Sequence, residues 1–132
     1  MAFSFSINKK KELLCVRPNS TLTSKDIDAY YNRLSEMDGI RDCSKALIDL
    51  TNPNLSMKGV SLTSVRNMSW QFKALPLMQK GSQMAFVIHS KLIYGFVRVF
   101  MARRGDDINI VPFSDMDDAL EWLELSHSDL VG

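Results

Sequence analysis

The sequence predicts an α/β domain: a single-layer, mostly parallel five-stranded sheet with an N-terminal antiparallel hairpin and four helices. Three observations carry this expectation. In Met84–Phe113, the short apolar runs Met84–Ile88 and Ile108–Val111 flank a long apolar segment with helical spacing, a strand–helix–strand unit. Elsewhere, strand-length apolar runs alternate with helical periodicities, which implies parallel pairing through right-handed crossovers. The chain has 132 residues, 45% hydrophobic and 23% charged, which suits one domain over residues 1–132 with a core of its own.

Phe3, Phe5 and Ile7 alternate with Ser4, Ser6 and Asn8, the period of a half-buried strand. A polar turn at Asn8–Lys11 and a second run at Glu12–Arg17 complete a hairpin, which Pro18-Asn19-Ser20 ends. Thr23 with Asp26 three residues on predicts a capping box. The helix it opens buries Ile27, Tyr30 or Tyr31, Leu34 and Met37, and Gly39 suits its close. Lys45–Leu50 reads as a central strand, running into a turn at Thr51–Asn54. A second helix is expected to start between Ser56 and Ser61, with Val65, Met68, Phe72 and Leu75 as its stripe and Pro76 at its end. After the strand at Met84, a third helix spans about Ser90–Arg104, with Gly105-Asp106 closing it. A fourth begins at Ser114 with Asp115, Asp117 and Asp118 in its first turn, near the positive end of its dipole. It turns Ala119, Leu120 and Leu123 inward with Trp122 alongside, and the polar tail from Ser126 is expected to fray.

Sixteen basic and fifteen acidic residues leave a net charge of +1, so only a local patch would collect a polyanion. Lys9-Lys10-Lys11 lacks interleaved aromatics and reads as a solvated turn, and no nucleic-acid partner is expected. Cys15 and Cys43 form no CxxC pair and no ligand cluster with the two histidines, so neither metal nor cofactor is expected. An N-terminus that alternates before turning basic does not read as a signal peptide, and no run approaches a membrane span of about 20 apolar residues. A reduced, cytoplasmic protein is the expectation.

The closing stretch Val111–Leu123, VPFSDMDDALEWL, resembles the last strand and helix of small bacterial STAS/SEC14-like proteins of the SpoIIAA-like fold. Lys45–Leu50 with Thr51 is similar to that group's strand ending in Asp-Leu, and Tyr94-Gly95 with Arg98 and Phe100 resembles a helix of some members. The resemblance implies a regulatory or binding domain that takes a partner protein or a small apolar, lipid-like ligand. It also implies, as an alternative, a phospho-regulated switch of the anti-sigma-factor-antagonist type. Those antagonists carry an Asp-Ser-Ser-Gly turn. Here Asn54–Gly59 places Met57 and Lys58 at the two serine positions, leaving Ser56 as the nearest hydroxyl. Ser56 and Ser61, each read as near a helix start, are the candidate phosphorylation sites.

Asp49, Thr51, His89 and Ser90 fall at strand ends, where open α/β sheets gather ligands. With no GxSxG elbow and no Gly-rich loop, Ser90 reads as a helix cap and a hydrolase is the least favoured reading. The third helix is apolar over more than one stripe. Leu92, Phe96 and Val99 are expected to meet the sheet. Tyr94, Val97 and Met101, flanked by Arg98, are expected to line a contact beyond the core: a dimer surface, an apolar-ligand pocket or a membrane-surface contact. Trp70 and Phe72 join this candidate ligand or interface set from the methionine-rich segment before the fourth strand. The domain is therefore expected to bind rather than catalyse.

Overall fold

A computed structural model describes residues 2–103 and 108–130. Its order is β1 (Phe3–Asn8), β2 (Leu13–Pro18), β3 (Thr21–Thr23), α1 (Ser24–Ser35), β4 (Lys45–Leu50) and β5 (Ser56–Gly59). Then follow α2 (Leu62–Ala74), β6 (Gln83–Ile88), α3 (Lys91–Arg103), β7 (Asn109–Phe113) and α4 (Met116–Leu123). The main sheet runs β1-β2-β4-β6-β7, antiparallel between β1 and β2 and parallel thereafter. The mostly parallel five-stranded sheet, its N-terminal hairpin and the four helices are as expected. Gly105-Asp106, read as the close of the third helix, lies outside the described residues.

Strand order rises in one direction across the sheet. Successive right-handed crossovers in one direction put their helices on one face. Thus α1, α2 and α3 share a core with Leu14, Val16, Ile48, Leu50, Phe86 and Ile88. After β7 no further parallel strand follows, and α4 folds over the opposite face, where Ala119, Leu120 and Leu123 meet Leu13, Leu47, Ala85 and Val87. Strands β4 and β6 are therefore covered on both sides, which is why they read as near-continuous apolar runs.

Polar groups at the start of the strands hold α4 in place. Lys45 Nζ donates to the Leu123 carbonyl at 2.6 Å and Gln83 Nε2 to the Trp122 carbonyl at 3.3 Å, satisfying the last turn of the helix. Asp115 is the N-cap of α4, accepting from the Asp117 N–H, rather than a first-turn residue. The tail does not fray at Ser126: His127–Leu130 forms a 3₁₀ turn, and Asn8 Nδ2 donates to the Asp129 carbonyl at 3.0 Å.

The capping box of α1 is present, Thr23 Oγ1 accepting from the Asp26 N–H and Asp26 Oδ2 from the Thr23 N–H. Replacing Thr23 with alanine is expected to lower stability by about 1 kcal/mol, read as a shifted urea midpoint with unchanged slope. Gly39 has the anticipated positive φ of 88°, but the helix has already ended at Ser35, and the glycine instead opens a 3₁₀ turn at Ile40–Asp42.

Two strands were not anticipated. β3 and β5 pair in parallel as a separate two-stranded sheet beyond the ends of β2 and β4. At three and four residues they are too short to show a period. Their pairing moves the start of α2: its N-cap is Ser61, whose hydroxyl accepts from the Ser64 N–H at 3.1 Å, and Ser56 sits in β5 opposite Thr21. Ser56 is therefore not at a helix start, and the dipole argument for its phosphorylation holds for Ser61 alone. Leu75, expected on the buried stripe of α2, is exposed at its C-cap.

Candidate functional site

The residues singled out in the sequence fall in three places, with Tyr94 bordering two of them. Phe72 and Val97 lie in the core between the sheet and the helices. There they line a cavity of about 90 Å³ walled by aliphatic and aromatic side chains, among them Ile48, Met68, Phe86, Phe96 and Phe100. The expected division of α3 is corrected here. Ile93, Val97 and Phe100 are its buried stripe, Val97 only 5% exposed, whereas Leu92 is 64% exposed. The reason is the packing of α2 alongside: Ser69, fully buried, donates its hydroxyl to the Phe100 carbonyl at 2.8 Å, and so small a residue lets the two helices approach. Val97 is thus not part of an outward contact, and Met101 is half-buried against the core.

The second place is the strand ends. Ile88, His89, Ser90, Lys91, Tyr94, Pro112, Phe113 and Ser114 surround an open cleft of about 380 Å³. The strand order never reverses, so the sheet lacks the switch-point crevice in which such folds commonly seat a ligand. Asp49 is engaged elsewhere, with Arg17 Nε at 3.3 Å and the Thr51 hydroxyl at 2.6 Å. Ser90 accepts from the Ile93 N–H at 3.4 Å and acts as a cap. No hydrogen bond among the described residues joins Asp49, His89 and Ser90.

The third place is the outer side of α2 and α3, two adjacent helices on one face of the sheet. The large apolar side chains that stay exposed among the described residues are Leu62, Trp70, Leu75, Leu92 and Tyr94, all on these helices or at the C-cap of α2. Trp70 is 48% and Tyr94 40% exposed. Each aromatic carries a cation: Lys73 Nζ sits 5.0 Å from the Trp70 ring and the Arg98 guanidinium 6.0 Å from the Tyr94 ring. Arg66 and Lys91 are exposed on the same helices.

Charge sharpens this face. Between Asp49 and Asp106 the chain has no acidic residue, so every charged side chain of α2 and α3 is positive. The compensating acids include Asp117, Asp118, Glu121 and Glu124 on and just after α4, across the sheet. A net charge of +1 therefore conceals a basic α2–α3 surface and an acidic α4. Composition hid this feature, which a count of charge by segment exposes. The three leucines of this face, Leu62, Leu75 and Leu92, were not singled out in the sequence as outward groups.

The two thiols are free. Burial pushes the Cys15 thiol up, with Arg17 and the Ser6 hydroxyl partly opposing it. Burial first, then the nearby Asp42 and Glu12 carboxylates, push Cys43 from 9.0 to about 11. Because the thiolate is the reactive form, Ellman's reagent at mildly alkaline pH should label native Cys15 slowly and Cys43 more slowly still, both reacting at once in urea. A folded-state value above the unfolded one favours folding below pH 9.0, and that contribution is lost as pH rises toward about 11.

No model of a known protein family matches the chain, and no curated protein matches it.

Proposed function

We propose that this chain is a non-enzymatic, STAS/SEC14-like binding domain of the SpoIIAA-like fold, whose working surface is the outer side of α2 and α3. The reading rests on one observation: the large apolar side chains left in water gather on these two helices. Scattered single apolar groups are ordinary, but a group confined to two neighbouring helices marks an interaction site. By contrast, the exposed positions of α1 include Lys25, Asp28, Asn32 and Arg33, the mixture of a solvated helix. The STAS/SEC14 likeness is supported by the order of elements and by the closing strand and helix drawn from Val111–Leu123.

A photo-crosslinking residue placed at Tyr94 should capture an adduct in cells, whereas one at Arg33 on α1 should not. Replacing Trp70 and Leu92 with serine should abolish the adduct while the melting temperature stays near that of the parent. Equal capture from both positions would show that the α2–α3 face is not special.

A second reading, a small apolar ligand in the core, is favoured by the cavity beside Phe72 and Val97. Its roughly 90 Å³ is smaller than the cavity of about 150 Å³ that admits benzene in an engineered core. An acyl chain would therefore require the helices to separate. Native mass spectrometry of the purified protein tests this reading by the presence or absence of a bound small molecule. A phospho-switch, the regulatory alternative, would act at Ser61, where added charge meets the start of α2. Phosphopeptide mapping across growth conditions tests that alternative.

A further inference from the structure

We infer that the α2–α3 face docks on an anionic lipid surface, an inference that rests on that face being the working surface. Three features of the face point to lipid. Its apolar groups are Trp70, Tyr94 and three leucines, the residues that interfacial helices sink into the boundary between headgroups and acyl chains. Its charged groups are all cationic. The cations are interspersed with the apolar groups, Lys73 lying over Trp70 and Arg98 beside Tyr94, so each ring enters the interface with a positive group at its side.

The other anionic partners fit less well. A nucleic-acid surface is polar and dense in charge, and it has no use for exposed Leu62, Leu75 and Leu92. A protein interface collects its apolar groups at the centre and disfavours lysine there, whereas here lysine and tryptophan are direct neighbours. The acids of α4 lie on the opposite face of the sheet and would point away from an anionic bilayer. The charge asymmetry therefore fixes the orientation of docking as well as favouring it.

The test uses the full chain with vesicles of pure phosphatidylcholine and vesicles that also contain phosphatidylglycerol. The protein should sediment with the anionic vesicles and not with the neutral ones, and molar salt should release it. In a Trp122→Phe background, where Trp70 is the remaining tryptophan, its emission should shift to the blue on anionic vesicles. Arg66→Glu with Lys73→Glu should weaken vesicle binding by roughly tenfold or more, as two reversed surface charges require. Trp70→Ser should also weaken it, and Lys25→Glu on α1 should leave it unchanged. These side chains are exposed, and circular dichroism should confirm that each variant folds as the parent does.

Equal binding to neutral and anionic vesicles would overturn the inference. So would tight binding to duplex DNA that survives Trp70→Ser, which would assign the face to nucleic acid. Salt-sensitive self-association without vesicle binding would assign it to the acidic face of a second copy. Failure on vesicles together with a specific protein adduct at position 94 would overturn the lipid surface and leave the docking face standing. Failure of both would overturn both.

Discussion

Val97→Glu is expected to leave no cooperatively folded protein. Val97 is 5% exposed and lies among Ile93, Phe96 and Phe100 against the sheet. The neighbouring cavity offers room for the larger side chain, but apart from Tyr30 its lining is aliphatic, aromatic and thioether groups that cannot solvate a carboxylate. A carboxylate there would take up a proton rather than remain charged, and even a neutral carboxyl without a hydrogen bond costs roughly 2–7 kcal/mol. Domains of this size are stable by about 5–15 kcal/mol in total, so the loss consumes much of that margin. Far-ultraviolet circular dichroism and urea titration should show a non-cooperative or absent transition. Val97→Leu, which adds volume without a polar group, should still fold and serves as the control. A folded Val97→Glu protein with an altered oligomeric state would place the residue on an interface instead.

Phe72→Ala should be the next most damaging substitution, at about 3–5 kcal/mol. Phe72 sits where the three helices meet over the sheet, its ring centroid 5.1 Å from Tyr31 and 5.9 Å from both Tyr30 and Phe100. Removing the ring deletes these edge and tilted contacts and joins the vacated space to the cavity it lines. The enlarged cavity is apolar and should stay dry. Benzene should then bind the variant, recovering about 1.4 kcal/mol at tenfold its Kd, with no comparable effect on the parent. Urea titrations with and without benzene measure both quantities. A midpoint unchanged from the parent would mean that the core relaxes fully around the lost ring.

Much of the fold was legible because its signals are local. Alternating Phe3, Phe5 and Ile7 mark β1, the continuous Lys45–Leu50 run marks a central strand, and Thr23 with Asp26 marks the start of α1. Each depends on neighbours within a few residues. β3 and β5 lay beyond this reach. Thr21–Thr23 and Ser56–Gly59 form strands because they meet each other, supported by the Ser56 N–H on the Ser20 carbonyl at 2.7 Å and the Ser24 hydroxyl on the Gly59 carbonyl at 3.1 Å. That pairing is what places Ser56 in a strand rather than at a helix start.

The candidate site divides in the same way. That α3 has more apolar surface than one stripe needs, and that Tyr94 and Arg98 belong to an outward face, followed from its sequence alone. The sequence also determined the absence of any acid between Asp49 and Asp106. Which stripe of α3 turns inward was decided only by tertiary structure. Apolar residues on several sides leave the helix no strong rotational preference of its own, and contact with α2 through Ser69 and with the sheet selected Val97 over Leu92. Tertiary structure likewise decided that the acids of α4 lie across the sheet from the cations of α2 and α3. Charges far apart in sequence acquire a common face only through the topology that carries their helices, here three crossovers on one side and a final helix on the other.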